Sequence, residues 1–264
     1  MKFWRWTSLI LLLLATCVQA QALTVSAAIS LKEAMSDIAA IYNAAADAEG
    51  GQKVQMNFGA TGHLLAQIRQ GAPVDVFVAA SDVQMDQAAA MKLIDPATRR
   101  MIATNALVLI VPADSKVTLT GFDDLQKPQV KRLAMGEPKT VPAGEYAVQT
   151  LEHLKLYDVL KPKVISGSSV RQVLAYVERG EVDAGIVYAT DAILSGDKVK
   201  IVATAEASWH DPIRYPAALV SATQHRRAAE RFIEFVMTDA AQKALRRHGF
   251  SAPATQPTQR PAGH

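Results

Sequence analysis

Five hydrogen-bond donors lie at turns between consecutive predicted strands and helices. They are Ser30, Thr61, Ala143, Val170 and Tyr188. The three hydroxyl residues offer side-chain protons, whereas the alanine and the valine offer only backbone N–H groups, each in the first turn of a helix. None of the five positions carries a carboxylate. Donors without an acceptor suit an anion that has no proton of its own, since such a ligand can only accept hydrogen bonds.

The stretch around Ser30 shows how such a donor is positioned. Small and apolar residues over 24–29 predict a strand, and apolar residues at helical spacing over 31–42 predict a helix directly after it. Ser30 lies between them, at the usual place of a helix N-cap. The N-terminus of a helix favours an anion through its free N–H groups and its dipole. Taken alone, this stretch leaves open that Ser30 serves only as a cap.

Other kinds of chemistry find little support in the sequence. Zinc, P-loop, dinucleotide-binding and nucleophile-elbow patterns are absent, and the six histidines have no ligand spacing. His63 is interpreted as an exposed first-turn residue and Asp75 as a structural residue within its strand. We therefore predict no enzyme, no cofactor and no metal held by its own ligands. An exported hydrolase remains an alternative only if the fold pairs a serine with a histidine.

Strands and helices alternate along most of the chain. The predicted strands after the first are 53–58, 74–79, 106–111, 132–135, 163–165, 182–188, 199–203 and 215–220. Ser81 and Ser168–Ser169 are predicted helix caps, and Pro142 suits the first turn of a helix. Two amphipathic helices, over 224–237 and 239–247, follow the last strand. The whole pattern predicts an α/β protein, and the β-α-β-α-β-α order of the first three strands implies a parallel sheet with right-handed crossovers.

The order of the elements predicts two lobes. The two final helices have no sheet of their own, so they are expected to return to the first half of the chain. Lobe 1 is therefore predicted over 23–104 and 205–251, and lobe 2 over 105–204. The chain would cross between the lobes near 104–106 and near 203–205.

Residues 1–22 have the pattern of a secretory signal peptide. A basic start precedes an apolar run over 9–15, and small-residue cleavage sites end at Ala20 and Ala22. The apolar run is too short to span a bilayer comfortably. A lipoprotein signal with Cys17 as the lipid anchor is the alternative. At the other end, residues 252–264 hold three prolines among small and polar residues and predict a disordered tail.

Composition narrows the functional classes further. The formal net charge is only +3 over 264 residues, and no basic patch dominates, which argues against a nucleic-acid partner. Cys17 is the only cysteine, so the chain after the signal has no disulfide and no thiol chemistry. Half of the residues are hydrophobic. A sizeable apolar core is thus expected to stabilise the protein.

Several short motifs together resemble the periplasmic molybdate-binding proteins of ABC importers. The resemblance covers about residues 23–250, and its motifs are Ala27-Ala28-Ile29-Ser30-Leu31, Phe58-Gly59-Ala60-Thr61-Gly62, Gly71-Ala72-Pro73-Val74-Asp75-Val76-Phe77, Val141-Pro142-Ala143-Gly144-Glu145-Tyr146-Ala147, Val170-Arg171, and Gly185-Ile186-Val187-Tyr188 with Asp191-Ala192. Any one of these motifs alone would be weak. Their combination is specific.

The resemblance implies a fold and a function. The fold is the type II two-lobed periplasmic binding protein, in which each lobe is a β-sheet flanked by helices and two crossing segments form the hinge. The ligand is molybdate or tungstate, and molybdenum would be bound only as this oxyanion. The family's ligand positions fall on Ser30, Thr61, Ala143, Val170 and Tyr188. The implied partners are the membrane permease and the ATPase of an ABC importer, and the implied protein is a periplasmic monomer.

Two departures from the family pattern concern the ligand positions. Thr61 stands where the family has a serine, and Ile29 replaces a small residue before Ser30. The resemblance therefore does not fix the size of the pocket, and another oxyanion such as sulfate is the nearest alternative ligand. Arg171 follows Val170 and is either a solvated side chain or a source of positive potential, but not a ligand.

Overall fold

The computed structural model describes residues 22–253. Apart from residues 22, 252 and 253, the predicted signal peptide over 1–22 and the predicted tail over 252–264 lie outside the described residues. The described part contains two five-stranded sheets with helices packed around them. No helix within it is long and apolar enough to cross a membrane.

The first sheet combines strands from both ends of the chain. In spatial order its strands are β2 (Val54–Gly59), β1 (Leu23–Ala28), β3 (Val76–Val78), β10 (Arg214–Leu219) and β4 (Arg100–Thr104). Strands β1, β2 and β3 are parallel, as their sequence predicts. Strand β10 is antiparallel to both of its neighbours.

The second sheet repeats this arrangement with strands from the middle of the chain. In spatial order its strands are β7 (Val164–Gly167), β6 (Leu133–Gly136), β8 (Ala184–Tyr188), β5 (Leu107–Pro112) and β9 (Val199–Thr204). Strands β6, β7 and β8 are parallel, and β5 is antiparallel to β8 and β9. The antiparallel strand of each sheet is the one that arrives from the other sheet, so it enters from the opposite edge. The parallel sheet predicted for the first three strands is present, and the sequence made no prediction for the pairing of β5 and β10.

Helices connect the parallel strands and cover the sheets. Around the first sheet lie α1 (Lys32–Glu49), α2 (Thr61–Arg69), α3 (Asp82–Ala90), α8 (Arg226–Val236) and α9 (Asp239–Arg247). Around the second lie α4 (Pro142–His153), α5 (Tyr157–Leu160), α6 (Val170–Glu178) and α7 (Ala189–Ser195). The two final helices pack on α1, where Tyr42 contacts the rings of Phe232 and Phe235 edge-on at 5.1 and 5.2 Å between centroids.

Two of the predicted helix N-caps are present in the structure, and one is not. The Ser81 and Ser169 hydroxyls accept hydrogen bonds from the backbone N–H groups of Gln84 and Gln172 at 3.4 and 3.2 Å. The predicted N-cap role of Ser30 is wrong. Ser30 lies inside a 3₁₀ turn over Ile29–Leu31 that precedes α1, and its side chain makes no capping hydrogen bond. Its hydroxyl is thus available for other contacts.

Sequence patterns missed one strand and two α-helices of the described chain. Strand β4 carries two basic or polar residues at its ends and lacks a continuous apolar run, and it forms because it lies at an edge of the first sheet beside β10. Helices α5 and α7 have only four and seven residues, which is too short for a helical period to be recognised. Tertiary packing rather than local preference determines all three.

We predict that Gly144→Ala destabilises the fold. A Cβ at Gly144 would lie 2.1 Å from the carbonyl oxygen of Gly136, so the start of α4 can approach the end of β6 only with glycine there. Overpacking against backbone costs about 1–3 kcal/mol in free energy of unfolding. Urea denaturation measures the loss, and Gly121→Ala is the control because an added Cβ there meets no atom within 4 Å. Equal stability of the two variants would contradict the prediction.

Candidate functional site

The five predicted donor positions line one small cavity between the two sheets. Ser30 and Thr61 reach it from the ends of β1 and β2, and Ala143, Val170 and Tyr188 reach it from the second sheet. The other lining residues are Ala28, Ile29, Gly59, Ala60, Ala80, Val141 and Pro142. Each donor lies beyond the carboxyl end of a parallel strand, where ligands bind in open α/β sheets. The structure thus brings all five together, and their role as ligands stays a prediction.

The cavity is narrow. The space between its atoms is about 210 Å³. The centre of a water-sized sphere can occupy only about 10 Å³ of that space. A larger cavity of about 380 Å³ lies elsewhere, beside Asp75 and Thr223 of the first sheet's other end. That cavity collects none of the predicted donors, and Asp75 there is occupied by hydrogen bonds from the Thr24 N–H and the Thr223 hydroxyl. We therefore regard the smaller cavity as the functional one.

Helix N-termini surround the cavity. Thr61 is the first residue of α2, Val170 the first of α6, and Ala143 the second of α4. Tyr188 occupies the N-cap position of α7. The N–H groups of a helix's first turn have no intrahelical partner, and the helix dipole adds positive potential at the same end. Four helix starts thus direct donors and partial positive charge towards one point.

The Ser30 hydroxyl is oriented by a chain of hydrogen bonds. The Asn105 side-chain amide N–H donates to Tyr215 Oη at 3.1 Å, and Tyr215 Oη lies 3.1 Å from Ser30 Oγ. The amide orientation is fixed, because Asn105 Oδ1 accepts from the Ala106 N–H. The Asn105 amide can only donate to Tyr215 Oη, and Ser30 Oγ is the other hydrogen-bond partner of that oxygen among the described residues, so we assign the proton of the buried phenol to the bond with Ser30. The proton of Ser30 is then left for an acceptor in the cavity.

The other two hydroxyls are also left as donors. Thr61 Oγ1 accepts the Ala80 backbone N–H at 3.2 Å, which leaves its proton free for the cavity. The buried Tyr188 hydroxyl has no hydrogen-bond partner within residues 22–253. Burial raises the pKa of Tyr188 well above its ordinary value, so the phenol keeps its proton near neutral pH. All three hydroxyls can therefore donate to one ligand.

The cavity lining holds no cation and no carboxylate. Among the described residues no cluster of histidine, cysteine, aspartate and glutamate could hold a metal ion either. His63 and Asp75 do not line the cavity, and no histidine of the described chain hydrogen-bonds to a serine. The arrangement thus supplies neutral donors only.

Charged groups lie just behind the cavity. Asp191, in the first turn of α7, is fully buried, and its Oδ1 lies 2.7 Å from Arg171 Nε, within ion-pair distance. Burial raises the pKa of Asp191 to about 7, while the positive charge of Arg171 acts in the opposite direction. Arg171 also pairs with Glu33. The interpretation of Arg171 as a solvated side chain is therefore wrong.

Sequence reasoning missed the residues that orient Ser30. Tyr215 was assigned only to a late strand, and Asn105 only to a predicted crossing segment. Both are distant from Ser30 along the chain, and no spacing connects them. The only available signal was that each is a polar residue beside a strongly apolar strand.

A two-sheet architecture with donor-lined helix starts meeting in the cleft defines a two-lobed solute-binding protein. A family model described as bacterial extracellular solute-binding protein matches residues 23–251. The chain belongs to this family, whose members bind solutes for transport and are not enzymes.

Individual relatives agree with this assignment. YvgL of Bacillus subtilis (strain 168), whose name describes a substrate-binding lipoprotein of an ABC transporter, is 39% identical over 230 residues, or 87% of this chain and 86% of YvgL. The molybdate-binding protein ModA of Escherichia coli (strain K12) is 37% identical over 238 residues, or 87% of this chain and 88% of ModA. The resemblance to molybdate-binding proteins predicted from the sequence is confirmed.

A solved structure confirms the predicted fold class. The periplasmic molybdate-binding protein of Azotobacter vinelandii superposes with a TM-score of 0.76 at 24% sequence identity. The match covers 88% of this chain and 100% of that protein. At this identity the likeness concerns the fold alone.

We predict that two buried tyrosine hydroxyls differ in their effect on stability. Tyr188→Phe removes a hydroxyl without a partner in the described chain, so the free energy of unfolding without added ligand stays equal or rises. Tyr215→Phe breaks the chain between Asn105 and Ser30 and lowers this free energy by about 1–3 kcal/mol. Denaturant unfolding of the two variants beside the unmodified protein measures both effects. A loss for Tyr188→Phe as large as that for Tyr215→Phe would refute the assignment of donors.

Proposed function

We propose that this protein captures molybdate, and also tungstate, between its two lobes and delivers it to an ABC importer. One observation carries the proposal. Every side-chain hydroxyl that lines the cavity has its proton left to donate, and the lining contains no carboxylate to accept a proton from a ligand. A fully deprotonated tetrahedral oxyanion satisfies such donors, whereas a protonated anion would need an acceptor. The names of relatives such as ModA support molybdate among these oxyanions.

The proposed ligand groups are the hydroxyls of Ser30, Thr61 and Tyr188 and the backbone N–H groups of Ala143 and Val170. Hydrogen bonds to a charged group contribute roughly 1.5–3 kcal/mol each. Several of them reach the roughly −8 to −12 kcal/mol of micromolar to nanomolar binding. No counter-charge or cofactor is then needed in the cavity, and molybdenum enters only as the oxyanion.

We propose a division into two lobes in which ligand binding is coupled to closure of the lobes. Lobe 1 comprises residues 23–104 and 205–251, and lobe 2 comprises 105–204. The chain passes between the sheets over 104–107 and returns over 204–214. Ser30 and Thr61 then belong to lobe 1 and the other three donors to lobe 2. A ligand can use all five only when the lobes meet, so it favours the closed state.

The family also supports proposals for export, oligomeric state and partners. We propose a signal peptide that is removed after Ala20 or Ala22 and a monomer that acts in the periplasm, with the permease and the ATPase of an ABC importer as partners and no nucleic acid. The lipoprotein name of YvgL keeps anchoring at Cys17 as the alternative. Treatment of cells with radiolabelled palmitate separates the two, because only the anchored form incorporates the label.

Calorimetric titration with molybdate, tungstate and sulfate tests the function. We expect micromolar or tighter binding of molybdate and tungstate and at least about tenfold weaker binding of sulfate, whose smaller size leaves some donors out of reach. Ser30→Asp is expected to abolish binding, because it places a negative charge against the dianion. Ser221→Asp adds the same charge at an exposed position far from the cavity and leaves the affinity unchanged. Preferred binding of sulfate would establish the alternative ligand, and binding of none would overturn the proposal.

We predict that Gly62→Ala weakens oxyanion binding without destabilising the protein. Gly62 on α2 donates its N–H to the Thr140 carbonyl across the cleft at 3.0 Å, and an added Cβ would lie 2.8 Å from the Thr140 Cα. The methyl group therefore hinders closure, whereas within a helix alanine is favoured over glycine. We expect a roughly ten- to hundredfold rise in Kd by calorimetry. His63→Ala, an exposed change on the same helix, should leave Kd unaltered, and unchanged binding by Gly62→Ala would argue against closure.

A further inference from the structure

An ion-pair cluster joins the two sheets at the edge of the cavity. Arg171 is the second residue of α6, directly after Val170. Its Nη1 and Nη2 donate to the two carboxylate oxygens of Glu33 on α1 at 3.2 and 2.6 Å, and Nη2 also lies 3.4 Å from the Ser30 carbonyl oxygen. A single guanidinium thus contacts the element that carries Ser30 and the element that carries Val170.

The two carboxyl groups that contact Arg171 belong to different parts of the molecule. Asp191 and Arg171 both belong to the part of the chain around the second sheet, so their contact persists whatever the position of the lobes. Asp191 is fully buried, and a carboxylate in such a place requires a nearby cation. The contact with Glu33 instead joins the helix α6 beside the second sheet to the helix α1 beside the first. Under the proposed division into lobes, this contact depends on the lobes being together.

Arg171 is poorly suited to be the counter-charge of the anion. Its side chain does not line the cavity, and its guanidinium already pairs with the Glu33 carboxylate and lies against the Asp191 carboxyl group. The Glu33 pair is also shielded from solvent, with 19% of the Arg171 and 31% of the Glu33 side chain exposed. A bidentate, partly buried pair is stronger and more directional than a pair on the open surface.

We propose that Arg171 and Glu33 form a latch between the lobes that holds the protein closed and slows release of the ligand. Asp191 positions the Arg171 guanidinium for this contact. Arg171 is therefore a positioning residue that acts through closure and not through contact with the anion. The inference rests on the proposed function only for the identity of the ligand, since the contact itself joins the lobes in the described structure.

The latch and a purely electrostatic role predict opposite changes in ligand affinity when the charge of Glu33 is removed. Glu33 lies three residues after the proposed ligand Ser30, so its negative charge repels a dianion in the cavity, and electrostatics alone predicts tighter binding when that charge is removed. If Arg171 acted as the counter-charge, freeing it from Glu33 would also tighten binding. A latch predicts weaker binding after the same change.

The test is Glu33→Gln, which preserves shape and removes charge, in the full chain. We expect Kd for tungstate to rise about three- to tenfold in calorimetry, with the release rate in stopped-flow experiments rising by the same factor and the association rate unchanged. Glu230→Gln is the matched control, because Glu230 pairs with Arg226 on one helix away from the cavity. Equal or tighter binding by Glu33→Gln would overturn the latch.

A distance measurement separates failure of the latch from failure of the proposed function. The chain left after the proposed cleavage contains no cysteine, so labels can be attached at Arg69→Cys and Lys139→Cys, which lie on opposite sides of the cleft. The latch predicts a smaller closed population after Glu33→Gln. If no oxyanion binds the unmodified protein, the proposed function fails. The latch is then tested separately, by comparing the distance between the labels in the ligand-free unmodified protein and in ligand-free Glu33→Gln. An unaltered closed population in that measurement rejects it.

Discussion

The direction of a few hydrogen bonds is the constraint on which the site depends. Serine and threonine hydroxyls can donate or accept, and nothing in their chemistry alone makes a site selective for a proton-free ligand. Here the protein donates a hydrogen bond into each of them, from Tyr215 into Ser30 and from Ala80 into Thr61. In the proposed function, such a site selects ligands by their protonation state without using any formal charge.

The shared strand order of the two sheets makes this arrangement possible. In both sheets the three parallel strands end at the same edge, and each of the helices that follow begins there. Two such edges facing one another bring four helix N-termini to one small volume. The close approaches at Gly62 and Gly144 show how tightly the backbone must pack for this, since a methyl group at either position would meet another backbone segment.

The sequence was informative wherever the pattern was local. The parallel strands, the Ser81 and Ser169 caps and the five donor turns depend on short-range periodicity and on the family motifs, and the fold class is confirmed. What failed depends on contacts across the chain. Ser30 was taken for a cap because its local setting is that of a cap, while its actual partner is 185 residues away. Arg171 was open to interpretation as a solvated residue for the same reason, since Glu33 is 138 residues away. Periodicity contains no information about such pairs.

Asn105 has a position with a further consequence. It lies in a segment that connects the two sheets, and its amide nitrogen contacts Tyr215 of the first sheet at 3.1 Å and the Thr190 hydroxyl beside the second at 2.9 Å. In the proposed closure, a rotation about this segment changes both distances together, and with them the orientation of the Ser30 proton. We therefore expect chemical discrimination to depend on the hinge angle. An anion would meet an incomplete set of donors in the open state and the complete set only after closure.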